Sequence, residues 1–215
     1  MTPRALLSMA AALAALSPLG ALTADTAPAP PAAPATAVFS MYCYWNGEAT
    51  LGAAPGVLAT RIGSLGGEVV EVQYDPAKTD VGKLAAALKR QGQGGFYALI
   101  VPDEAAKARA RGFRLTDAEI RVEPRSPRFE EPKYSLRTAH PELYYLDLTE
   151  AQAMALNSWS YFGGPLPDVL TPEQKALLDR VKAKLAGGRE PKLHPERTGA
   201  YRDAYRQQLV AWLGK

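Results

Sequence analysis

Val38-Phe39-Ser40-Met41-Tyr42-Cys43-Tyr44-Trp45-Asn46-Gly47-Glu48 is the stretch on which the reading of this chain turns. It holds the only cysteine among 215 residues. An apolar, β-prone run leads into Cys43, and small, helix-tolerant residues follow from Glu48 to Ala54. The pattern predicts strand, then Cys43, then helix. A thiol at a helix N-terminus faces unpaired backbone N–H groups and the positive end of the helix dipole. Both favour thiolate over thiol and predict a reactive sulfur. Tyr44 and Trp45 come next and are expected to wall an apolar pocket beside it. The competing reading is a small buried hydrophobe with no chemistry, because free cysteine is among the most buried residue types.

Composition narrows the classes. Hydrophobic residues make up 47% of the chain, enough for one good core with an appended part. The net charge of +3 is mild and the basic residues are scattered, so nucleic acid is not an expected partner. A single cysteine excludes an intramolecular disulfide and any site needing several thiolates. Residues 1–24 read as a secretory signal: Arg4, an apolar run from Ala5 to Leu16, then helix-breaking and small residues. A periplasmic or secreted protein with no stable membrane span is the expectation. Residues 25–37 alternate Ala, Pro and Thr and read as a linker.

The segment 38–111 carries a run of strands and helices. Strand 38–43, helix 47–54, strands 56–64 and 67–74, helix 80–90, strand 95–101 and helix 103–110 follow from the periodicities. Gly66-Gly67 signals a hairpin, and Asp75-Pro76 ends the next strand. Val81, Leu84, Ala85 and Leu88 sit at helical spacing. The order βαββαβ predicts an α+β fold of the ferredoxin-like kind. That plan serves many functions and by itself indicates none.

Several short pieces, in one order, resemble peptide methionine sulfoxide reductase A: Cys43-Tyr44-Trp45-Asn46-Gly47-Glu48, Pro55-Gly56-Val57, Gly63-Ser64-Leu65-Gly66-Gly67, and Glu68 through Tyr74-Asp75-Pro76. Gly94-Gly95-Phe96-Tyr97 resembles a later strand of that family. The resemblance spans about residues 38–110. It implies that Cys43 attacks a sulfoxide sulfur, that Tyr44 and Trp45 hold the substrate methyl group, that Glu68 protonates the departing oxygen, and that Tyr97 hydrogen-bonds it. Cys43 is then left as a sulfenic acid. With no second cysteine, an external thiol such as a thioredoxin-like protein must reduce it. No cofactor is implied. The implied substrate is an oxidised-methionine protein or a small sulfoxide. Tyr42 and Asn46 stand where the family has glycines, and the family's segment between Gly-Gly and Glu is missing. The paired strands and the helix 80–90 also resemble a heavy-metal-associated domain. That module needs two cysteines, so metal transfer is not expected.

Residues 112–215 have another texture and read as an extension of helices and loops. A strand is expected near 118–122, a charged, Pro-rich loop over 123–132, and short extended segments at 133–137 and 143–146. Thr149-Glu150-Ala151-Gln152 and Thr171-Pro172-Glu173-Gln174 open helices. Tyr201, Tyr205, Leu209 and Trp212 recur at helical spacing. His140 is a candidate partner for Cys43 or a loop histidine; His194 reads as linker. The leading expectation is a one-cysteine, thiol-dependent reductase. The alternatives are a non-catalytic binding module on the same fold, with Cys43 free to form a mixed disulfide, and another thiol oxidoreductase.

Overall fold

Alternation along the first strand, β1 (Ala35–Met41), decides where the core lies: Ala37, Phe39 and Met41 are buried on one face. The computed structural model describes residues 33–92, 95–130, 133–188 and 200–214, with side chains of the last helix from Tyr205 onward. The signal, most of the linker and His194 lie outside the described residues. The expected linker gives way to strand at Ala35, because Ala35 and Thr36 pair with Tyr74 and Gln73.

The chain continues through helix α1 (Tyr44–Gly52), strands β2 (Val57–Ser64) and β3 (Glu68–Tyr74), helix α2 (Val81–Arg90), strand β4 (Phe96–Val101) and helix α3 (Glu104–Ala110). Two short 3-10 turns, Arg111–Phe113 and Asp117–Glu119, lead into β5 (Ile120–Val122), and β6 (Arg128–Phe129) follows. The result is an α+β fold with a mixed six-stranded sheet, ordered β5-β4-β1-β3-β2-β6. β1 runs antiparallel to β3 and β4, β2 antiparallel to β3 and β6, and β5 parallel to β4. β5 and β6 therefore bring chain from beyond residue 111 into the same sheet. β6 falls within the stretch expected to be loop; its two residues pair with Ser64 and Gly63, and local pattern over two residues carries no strand signal.

One core lies on the face that carries α1 and α2. Phe39, Met41, Ile62, Val70, Val72, Leu84, Leu88 and Leu99 pack there with 4% exposure or less. Burying each such side chain is worth about 1.5–3 kcal/mol. α2 is capped by Asp80, whose carboxylate accepts from the Lys83 amide at 2.9 Å.

Helices α4 (Tyr134–Ala139), α5 (Pro141–Tyr144), α6 (Glu150–Phe162), α7 (Pro172–Ala186) and α8 (Ala200–Leu213) build a second core around Leu136, Leu143, Leu156, Leu178, Val181 and Leu209. The extended segments expected at 133–137 and 143–146 are largely helical instead. Their apolar residues Leu136 and Leu143 face the second core, and the Lys133 ammonium, itself buried, donates to the carbonyls of Tyr144 and Leu146, both at 2.8 Å. Tertiary contacts outweigh the weak local preference of such short segments. The second core joins the first through α1 and α6: a Cβ on Gly52 would lie 2.5 Å from Ser158 Oγ and 2.8 Å from Met154 Cγ. The described residues fall in one compact unit.

The two capping boxes lock together. Gln152 Oε1 accepts from the Thr149 amide at 2.9 Å, and its Nε2 donates to Val169 O and Gln174 Oε1, both at 2.8 Å. Gln174 repeats the pattern toward Thr171 and Asp147 O and returns a bond to Gln152 at 3.1 Å. Gln174→Ala is expected to lower stability by about 1–3 kcal/mol in urea unfolding, since it leaves partly buried partners unpaired. Adding Gln152→Ala should cost less than the sum of the two single changes, because they share bonds. Strict additivity would show the interlock to be energetically empty.

Candidate functional site

Cys43 is the N-cap of α1, in extended backbone at φ −130° and ψ 110°, and is partly exposed. The expected order of strand, thiol, helix is the order observed, with the helix opening at Tyr44, directly after the cysteine, rather than at Gly47. The first intrahelical bond runs from the Gly47 amide to Cys43 O at 3.1 Å. Cys43 makes no side-chain capping bond. The amides of Trp45 and Asn46, in the first turn, have no acceptor among the described residues. Cys43 thus stands at the positive end of the helix dipole, with its sulfur bonded to neither amide.

Glu68 reaches this turn from the neighbouring strand. It starts β3 on the same face as Val70 and Val72, the face that carries α1, and it pairs with Met41 of β1 and Ser64 of β2. From there its Oε2 accepts from the Tyr44 amide at 2.6 Å. A carboxylate thus sits on the peptide N–H that immediately follows the cysteine. The β2–β3 hairpin delivers it: the turn at Gly66, with φ +67°, needs a residue free of the Cβ penalty, and Glu68 lies two residues beyond.

Met41 fixes the base of the site. Its thioether packs against α1 so closely that a Cβ on Gly47 would lie 1.8 Å from Sδ. On the other side of β1, Met41 pairs with Phe96 of β4 across a register shift. Tyr97 is therefore at the same end of the sheet as Cys43 and Glu68, but it is 57% exposed and makes no hydrogen bond to either.

The two aromatics after Cys43 touch each other, with ring centroids 6.4 Å apart, and meet different neighbours beyond. Tyr44 meets Tyr134 of α4 edge-on, with ring centroids 6.4 Å apart. Its phenol is pushed up to about 12, by burial first, then by the Tyr134 phenol and the negative charges of Glu68 and Glu130. Trp45 instead lines a cavity of about 130 Å³ with Ser135, Thr138, Asn157, Ser160 and Tyr161 of α4 and α6. Cys43 does not line that cavity. That cavity is walled by Trp45 and not by Tyr44. Consecutive residues on a helix are set about 100° apart, so Tyr44 and Trp45 face different neighbours.

Tyr134 and Glu130 are neighbours of the site that sequence reasoning missed. Both come from the stretch expected to be loop or extended chain, and no motif marks them. Glu48, one turn into α1, is 2% exposed and accepts from Ser135 Oγ at 2.8 Å, a further tie between α1 and α4. His140 stacks on Trp159 at 4.6 Å and has its Nδ1 3.4 Å from Glu142 Oε1. It packs on Trp159, at the margin of the second core, and does not pair with Cys43.

No protein-family model matches this chain, and comparison with curated proteins finds no match. Among the described residues no helix is long and apolar enough to cross a membrane.

Proposed function

We propose that the chain is a one-cysteine, thiol-dependent reductase that acts on a methyl sulfoxide, as an oxidised methionine or a small molecule, in the manner of peptide methionine sulfoxide reductase A. The observation that carries this reading is the Glu68 carboxylate bonded to the amide next to a partly exposed N-cap cysteine. A ferredoxin-like plan is part of the proposal. It is supported by the antiparallel neighbours β4-β1-β3-β2, with α1 between β1 and β2 and α2 between β3 and β4 in the chain.

In the proposed reaction the Cys43 thiolate attacks the sulfoxide sulfur. The proton lost by the Cys43 thiol is taken up by Glu68, which gives it to the oxygen as negative charge builds there, as a general acid. Oxygen passes to Cys43 as a sulfenic acid, and the thioether leaves. One external thiol then condenses with the sulfenic acid, releasing water and forming a mixed disulfide. A second thiol attacks that disulfide and restores Cys43. One sulfoxide is reduced for each pair of thiols oxidised. The positive end of the α1 dipole favours the sulfur anion at the start of the cycle. Tyr97 keeps a proposed role in holding the oxygen, at the same end of the sheet.

A second reading has its own support. Tyr42 and Trp45, on either side of the Cys43-Tyr44 pair, are 69% and 40% exposed, a surface suited to a protein partner that forms a mixed disulfide with Cys43. One assay separates the two. The protein is incubated with methyl phenyl sulfoxide and dithiothreitol, and the sulfide is measured by chromatography. The expected result is multiple turnovers in the parent chain and none in Cys43→Ser. Sulfide no higher in the parent chain than in Cys43→Ser overturns the reductase reading.

A further inference from the structure

A cleft of about 560 Å³ lies between α2 and the 3-10 turn that follows α3, and the proposed reductase chemistry makes no use of it. It is within the size range of small-molecule sites, and more than four times the volume of the cavity beside Trp45. Its floor is set by two small residues one helical turn apart. Gly82 is where α2 and the turn touch, since a Cβ there would lie 2.6 Å from Phe113 O. Ala86, also in the lining, leaves room beyond that contact.

The walls carry three cations, Lys83, Lys89 and Arg114, against the single carboxylate of Asp80. Lys89 is committed: it pairs with Glu119 at 2.5 Å and lies over the Phe96 ring at 5.6 Å. Lys83 is held more loosely, 3.5 Å from Asp80, whose other oxygen caps α2. The Arg114 guanidinium has no partner among the described residues.

Arg114 is also the sole described non-glycine residue with positive φ, at 61°. A left-handed backbone at such a residue costs about 1–2 kcal/mol, and glycine would relieve it. Strain of this kind concentrates where a side chain has a use. The use available is recognition of an oxyanion such as a phosphate, for which a guanidinium is suited by its fork of donors. Phe113, 37% exposed, adds a flat apolar surface to the same wall.

We propose that this cleft binds a small organic anion of the nucleoside monophosphate kind. Arg114 and Lys83 hold the phosphate, and the flat ring system lies against Phe113 over Ala86. The proposal stands independently of the sulfoxide chemistry.

Isothermal titration of the full chain with AMP, ADP and inorganic phosphate tests it, at low and at physiological ionic strength. AMP is expected to bind one to one at both, and inorganic phosphate at least tenfold more weakly. Arg114→Gly keeps the backbone conformation and should lower AMP affinity at least tenfold with Tm unchanged or raised. Ala86→Leu fills the cleft and should abolish binding, while Arg137→Ala, outside the cleft, should leave it intact. Should Ala86→Leu fail to fold, Lys83→Gln replaces it, with a loss of affinity expected. The proposal is overturned by the absence of binding, by wild-type affinity in Arg114→Gly, or by AMP and phosphate binding alike with no response to Ala86→Leu or Lys83→Gln. The last pattern would mean pairing with surface cations only.

Discussion

Glu68→Gln is expected to reduce sulfoxide turnover by about 10²–10⁴-fold while leaving the fold in place, the range typical of losing a positioned general acid. The substitution is chosen for what it retains. A glutamine oxygen can still accept from the Tyr44 amide, the bond that Glu68 Oε2 makes at 2.6 Å. The start of α1, and with it Cys43, therefore keeps its support, and only the transferable proton is lost. Glu68→Ala removes the acceptor as well and should cost about 1 kcal/mol of stability besides. Turnover, thermal unfolding and the rate of Cys43 alkylation should be read together. Turnover in Glu68→Gln equal to that of the parent would remove Glu68 from the chemistry and leave it a helix-capping residue. A fall in turnover matched by an equal fall in alkylation would place the defect at the thiol instead.

Gly47→Ala is expected to destabilise the protein by about 1–3 kcal/mol, the usual cost of overpacking a full core. For a chain of this size each kcal/mol lowers Tm by roughly 2–4 °C. Two effects oppose each other here. Alanine is the better helix former by about 1 kcal/mol, so propensity alone would raise stability. Against that, the added methyl would lie 1.8 Å from Met41 Sδ and 2.7 Å from its Cε, and Met41 is only 2% exposed. The thioether has little room to retreat between Glu68 on one flanking strand and Phe96 on the other. Steric overlap should win. Met41→Ala in the Gly47→Ala background should recover part of the loss, giving a favourable coupling in a double-mutant cycle. A higher Tm in Gly47→Ala than in the parent would show that the methionine repacks freely. Because Met41 lies two residues before Cys43, the same pair of variants tests whether the strand-to-helix junction tolerates movement.

Much of this arrangement is legible in the order of residues. Alternation in β1, β2 and β3, the helical spacing of Val81, Leu84, Ala85 and Leu88, and the Gly66-Gly67 turn are local signals, and local signals place elements. The same holds for the capping boxes at Thr149 and Thr171, whose threonine and glutamine bond within one turn. The thiol's place before a helix is local too, because an apolar strand run stops where Cys43 begins.

Contacts between distant segments followed a different logic. That Glu68 lands on the Tyr44 amide depends on β1 and β3 pairing Met41 with Glu68, a register set by which faces are buried. Tyr44 and Trp45 are adjacent in sequence, yet one packs on Tyr134 and the other opens onto α6, because the far half of the chain folds back over α1. The helices at 134–139 and 141–144 are joined by a buried lysine that bridges the carbonyls of Tyr144 and Leu146, a contact between segments that no local pattern shows. Sequence by itself determined which residues are strands, helices and caps, since those depend on neighbours a few positions away. Only the tertiary structure decided which side chains share a site, because that rests on registers and packing chosen by burial across the whole chain.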